Sequence, residues 1–158
     1  MESVVERHYE LLNLAKKSLK TADHLTYMTY PLVKDIKIIV AITENIYSSV
    51  INAMESVLQY DRYYKRINPL AENFDSRFQV FKEKCAQRYN FDRDDLSLID
   101  ELRTIVAHRS NSTMEFIRND KLIICSPNFK MKTFDINAIK QYLIKTKKFI
   151  AKVDAIVR

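Results

Sequence analysis

The chain has 158 residues, of which 47% are apolar and 29% charged, with a formal net charge of +6, two cysteines and no glycine. Its length fits one domain, which at this size buries roughly 70% of the surface the unfolded chain exposes. The missing glycine excludes more: primed hairpin turns, Gly-rich phosphate loops, dinucleotide fingerprints and nucleophile elbows all use one, whereas an all-α fold can turn on Asn, Asp and Ser.

Val5, Tyr9, Leu12, Ala15 or Lys16, and Leu19 recur at steps of three and four, which predicts a helix over about residues 4–21. Pro31 biases Tyr30 away from helical geometry and predicts a break there. A long helix follows from about Leu32 to Ile67, with Ile39, Thr43, Ile46, Val50, Ala53, Val57, Tyr60 and Tyr64 as its stripe. Beside the stripe run Asn45, Ser48, Asn52, Ser56 and Gln59. Neutral polar groups bury against another helix once they find hydrogen bonds, so this flank reads as an interface. At the helix end, "QYDRYYKRI" mixes tyrosines with Arg62, Lys65 and Arg66. That pattern fits rings stacked on bases beside phosphate-binding cations, and also the half-buried end of a long helix.

Beyond Asn68-Pro69, the residues Leu70, Phe74, Phe78, Phe81 and Cys85 keep helical spacing to about Tyr89. "NFDRDD" is a polar connection, with Asp94 or Asp95 as N-cap of a helix whose core face is Leu96, Ile99, Leu102 and Val106. "RSNST" is turn chemistry, and "MEFIRNDKLIICS" places two Phe/Ile-rich runs around Asn119-Asp120, the pattern of a small hairpin. A last helix, capped by Thr133 or Asp135, buries Ile136, Ile139, Leu143, Phe149, Ile150 and Val153. The expected fold is all-α: an up-and-down bundle of four to five helices with a small β-hairpin before the last, forming a single domain over residues 1–158.

The most apolar run, "IKIIVAI", is far short of the ~20 residues a spanning helix needs. With no secretory segment visible and Cys85 and Cys125 far apart, the expectation is a cytoplasmic protein with free thiols and no membrane. From Asn128 to Arg158, eight Lys or Arg face two Asp and no Glu. This is a solvated helix face or a groove for an acidic polymer.

His8, His24 and His108 lack metal-ligand spacing, so neither a metal nor a cofactor is expected. Asp94/Asp95 and Asp100/Glu101 sit where acids favour the positive end of a helix. One motif remains, Arg103-Thr-Ile-Val-Ala-His108, within "ELRTIVAHRSNSTMEFI". Five residues of regular helix turn about 500°, leaving the two side chains about 140° apart. They converge only if the helix loosens near His108, or if a second copy brings its own pair across a two-fold axis.

A helical bundle with Arg-x4-His near the end of its penultimate long helix, then a polar turn and a last helix, resembles the HEPN domain family, over about residues 32–157. The resemblance implies metal-independent RNA cleavage at a homodimer interface, with His108 as general acid or base and Arg103 on the scissile phosphate. It also implies protein partners such as a nucleotidyltransferase or an antitoxin. The residue types suit the reaction: attack by a ribose 2′-hydroxyl needs a proton acceptor near neutral pH and a rigid two-pronged cation on the phosphate. Glu44, beside the Ile39–Ile46 stripe, and Arg109 and Asn111, beside the motif, are the expected supporting or substrate-binding residues. Thr104 stands where the family usually carries Asn, Asp or His, and the hairpin is an addition to the simplest bundle. Two other readings remain open: a non-catalytic helical dimer that binds a protein partner or nucleic acid, and nonspecific polyanion binding through the basic last helix.

Overall fold

Helix caps and three breaks in apolar spacing divide the chain into rods. The computed structural model describes residues 4–110, 114–118, 121–125 and 131–158. Helix α1 (Val4–His24) continues through a π-helical turn, Leu25–Thr29, and stops at Tyr30, ahead of Pro31. Helix α2 (Ile36–Tyr63) starts later than its apolar spacing suggests, because Asp35 caps it by accepting the Lys37 N–H at 2.9 Å. Asn73 caps the next rod through the Ser76 N–H at 2.8 Å. That rod is continuous through α3 (Phe74–Val80), a π-helical turn (Phe81–Cys85) and α4 (Ala86–Tyr89).

Helix α5 (Arg93–Ser110) is capped by Asp92, not by Asp94 or Asp95. Asp92 accepts the Asp95 N–H at 2.9 Å, and the Asp95 side chain accepts the Asp92 N–H at 3.0 Å, a reciprocal pair that satisfies two end amides. Strands β1 (Met114–Arg118), β2 (Lys121–Cys125) and β3 (Met131–Asp135) form a small antiparallel sheet in chain order, with Met114 opposite Cys125 and Lys121 opposite Asp135. The expected hairpin is β1–β2, although its turn at Asn119-Asp120 lies outside the described residues; β3 was not expected. Asp135 then caps α6 (Ile136–Val157), accepting the Ala138 N–H at 2.8 Å, while Thr133 belongs to β3.

With no glycine, two helix ends use other residues in left-handed geometry: Lys65 (φ 56°) after α2 and Asn90 (φ 59°) after α4. At the first, the Arg66 N–H reaches the Asp61 carbonyl at 2.8 Å and the Lys65 N–H reaches that of Arg62 at 3.0 Å, which satisfies the terminal carbonyls of α2.

The rods form an all-α helical bundle. Helices α1 and α2 are antiparallel, tied by Ser56 Oγ to the His8 carbonyl and Ser49 Oγ to the Ala15 carbonyl, both at 2.7 Å, and by the Ser18–Ser48 hydroxyl pair at 3.2 Å. Ser48 and Ser56 of the neutral polar flank of α2 therefore meet α1 of the same chain, while Asn45 and Asn52 bond within α2 itself. A self-association surface built on Ser48 and Ser56 is already covered. Glu55 meets Arg77, and Asp61 meets Cys85 and Arg88, so the connection after α2 folds back and α3–α4 runs alongside α2 in the same direction.

The core follows the α2 stripe closely: Ile39, Thr43, Ile46, Val50, Ala53 and Val57 are buried, while Tyr64 is 51% exposed. Each large apolar side chain buried there stabilises by about 1.5–3 kcal/mol. On α1, Tyr9 faces outward and His8 takes the inner position; on α5, Leu98 and Ile105 replace Leu96 and Val106 in the buried face. Ile124 of β2 joins the core, as do Ile139, Leu143, Phe149, Ile150 and Val153 of α6.

Candidate functional site

Arg103 and His108 occupy the last third of α5, which stays helical through Ser110. The helix does not loosen at His108, so within one chain the two side chains diverge by about 140°. Arg103 is half-buried and held by two other helices. Its Nη1 makes a long contact of 3.5 Å with the Tyr47 hydroxyl on α2, and its guanidinium carbon lies 4.7 Å from the centre of the Phe74 ring on α3. Neither partner is an anion, and among the described residues no carboxylate pairs with Arg103.

Neighbouring arginines differ in this respect. Arg109 bonds Glu44 at 2.8 Å, joining two of the expected supporting residues across α5 and α2. Arg77 grips Glu55 with two bonds, at 2.8 and 3.0 Å. Glu44 is 57% exposed at its side chain, which makes its pair with Arg109 a surface contact of about 0–1 kcal/mol. Arg109 and Arg77 thus each pair with a carboxylate, whereas Arg103 pairs with none among the described residues.

His108 is half-buried, and its Nε2 is shielded from solvent without a hydrogen-bond partner among the described residues. A ring nitrogen left unpaired in this way keeps its hydrogen-bonding capacity for a group brought from outside the chain. Asn111 lies outside the described residues. Among the described residues, no group of three or more His, Cys, Asp or Glu is arranged to hold a metal ion, and no helix is long and apolar enough to cross a membrane.

Sequence reasoning missed a second constellation. Asp61, fully buried near the end of α2, accepts Arg88 Nη1 at 2.6 Å, the Cys85 thiol at 3.2 Å and the Tyr89 hydroxyl. Burial, reinforced by the bond to Asp61, pushes the Tyr89 phenol up to about 12. Burial, reinforced by the Asp61 charge, likewise raises the Cys85 thiol, which stays protonated and unreactive. The available signal was the step of four from Val57, which sets Asp61 on the apolar stripe of α2, where a charge must be paired. Asp95 and Lys152, at 2.5 Å, similarly lock the start of α5 to α6.

Comparison with models of known protein families, with curated proteins and with solved structures found no match.

Proposed function

We propose that the chain acts on RNA as a HEPN-like homodimer, with a composite, metal-independent endoribonuclease site that pairs Arg103 of one copy with His108 of the other. The observation that carries this reading is the Arg103 guanidinium, fixed by Tyr47 and Phe74 yet matched by no carboxylate among the described residues. A positioned, uncancelled cation of that shape suits a phosphodiester, because two parallel N–H groups match two phosphate oxygens. The unpartnered Nε2 of His108 supplies the second requirement, a group that can take a proton from the ribose 2′-hydroxyl or return one to the leaving oxygen. Since the pair diverges on one straight helix, a two-fold axis is the arrangement that unites them.

The reaction needs the 2′-oxygen to attack the adjacent phosphorus, the 5′-oxygen to leave, and Arg103 to hold charge as it develops on the phosphoryl oxygens. Its product is a 2′,3′-cyclic phosphate. Mixed-sequence RNA incubated in EDTA should yield such ends with the unaltered protein and none with His108→Ala, whose helical signal and melting temperature should be nearly unchanged. Fragments that persist with His108→Ala would sink the assignment.

A second reading is a bundle that binds a protein partner, favoured by one observation. Met28, Leu32 and Val33, 61%, 85% and 52% exposed, put apolar side chains into solvent around the turn between α1 and α2. On that reading Leu32→Ser removes partner association and leaves RNA handling intact.

A further inference from the structure

The C-terminal end of α2 carries a cleft of about 210 Å³ that the Arg103 face does not use. It is lined by Lys65, Arg66, Ile67, Asn68, Pro69, Val80, Glu83 and Lys84. We propose that this cleft docks single-stranded nucleic acid, with Arg66 and Lys84 on a phosphate and the exposed ring of Tyr64 offered to a base.

Three observations converge. First, the cations outnumber the acids. Asp61 is bonded directly to Arg88 at 2.6 Å, while Arg66 stands 3.7 Å from its other oxygen, beyond hydrogen-bonding distance. One carboxylate thus faces two guanidiniums, and at the rim Glu83 faces Lys65 and Lys84, so positive charge remains at the mouth. Second, Arg66 is built into place. It donates to the Tyr89 hydroxyl at 2.8 Å, and its guanidinium carbon lies 5.1 Å from the centre of the Tyr64 ring and 5.6 Å from that of Tyr60. A guanidinium held this way loses little freedom on binding an anion, and its side chain remains 39% exposed.

Third, aromatic surface adjoins the charge: Tyr63 is 41% exposed and Tyr64 51%. Exposed rings beside a cationic groove fit unpaired bases, every one of which presents a flat face, better than they fit an acidic peptide, which would use the charge alone. Lys65 lines the cleft although it holds left-handed geometry that glycine or asparagine would adopt more easily. The cleft is separate from the catalytic proposal, since the 16 helical steps from Tyr47 to Tyr63 span about 24 Å of α2.

The test is fluorescence anisotropy with a labelled, mixed-sequence 2′-deoxy 12-mer, which has no 2′-hydroxyl to cleave and so reports binding independently of His108. Arg66→Gln and Lys84→Glu should each weaken binding about 10-fold and flatten its salt dependence by about one ion. Tyr64→Ala should weaken it about threefold to 10-fold. Lys140→Glu, on α6, should change it less than about twofold. Lys84→Glu alters an exposed side chain, and it decides the matter if Arg66→Gln perturbs the fold. The proposal is overturned if the strand does not bind, if Lys140→Glu weakens binding as much as Lys84→Glu, or if Tyr64→Ala has no effect while heparin competes fully, which would reduce the cleft to diffuse charge.

Discussion

The Arg103 guanidinium carbon lies 4.7 Å from the centre of the Phe74 ring, so the residue that starts α3 fixes the cation on α5. Such a contact contributes about 0.5–2 kcal/mol, more as it is desolvated. Phe74→Leu should therefore leave the bundle folded, with a loss of about 1 kcal/mol in urea unfolding, and lower single-turnover RNA cleavage about 10-fold as Arg103 loses its support. Phe74→Tyr should restore the rate. Equal rates for all three proteins would show that Arg103 needs no positioning.

His8 supplies a pH prediction. It is 1% exposed, both ring nitrogens lack hydrogen-bond partners among the described residues, and the Tyr9 and Tyr60 rings lie 4.5 and 5.2 Å away. Burial lowers its pKa from the ordinary 6.5. The unfolded chain then binds the proton more readily than the folded one, so the neutral ring favours the native state above pH 6.5 and stability falls as pH drops below it. His8→Leu should raise stability by about 1 kcal/mol at pH 7.5, since an unpaired polar ring is removed, and should make unfolding less sensitive to pH between 7.5 and 5.5. Urea midpoints at the two pH values check both parts.

Lys65 sets stability against binding. Left-handed geometry costs a residue with a Cβ about 1–2 kcal/mol, part of which glycine returns through its freer unfolded chain. Lys65→Gly should stabilise by about 0.5–1 kcal/mol in thermal unfolding and weaken binding of the 2′-deoxy strand about threefold. A destabilised variant would mean that the lysine side chain contributes to the fold itself.

Asp61 is a fully buried charge whose loss the fold tolerates poorly. Asp61→Asn leaves Arg88 without its anion and the Tyr89 hydroxyl with a poorer acceptor. Breaking a buried pair from one side costs about 3–5 kcal/mol, here near the lower end because Arg88 is 34% exposed and can turn to water. The Tyr89 phenol, held at about 12 by burial and by Asp61, should titrate at lower pH in the variant. Ultraviolet absorbance of the tyrosinate, with chemical unfolding alongside, measures both.

What the sequence disclosed, and what it withheld, follows from the range of the forces involved. Period and caps are local, so the helices, the break at Tyr30 and the core stripe from Ile39 to Val57 were legible from spacing. Boundaries slipped where apolar spacing ran past the capping residue or offered several acids for it: Asp35 delays α2, and Asp92, paired with Asp95, starts α5. The α2 flank of Ser48 and Ser56 was readable as an interface, but periodicity does not say which helix covers it, and α1 does. Glu44 and Arg109, 65 residues apart, were both singled out, yet their pairing depends on how α2 and α5 pack. Phe74 and Tyr47 were invisible as site residues because their partner lies on another rod, and Asp61, marked by its step from Val57 as a charge needing a partner, did not disclose which residues of the next rod supply it.

The most direct test of the composite site is complementation. Arg103→Ala and His108→Ala proteins, each inactive alone, are mixed under exchange conditions and assayed on RNA in EDTA. If each site takes Arg103 from one copy and His108 from the other, a mixed dimer keeps one intact site. Statistical pairing should then restore about a quarter of the unaltered activity. A mixture that stays inactive while exchange is shown by a tagged subunit would contradict the shared site, as would an unaltered protein that cleaves as a monomer or does not cleave at all.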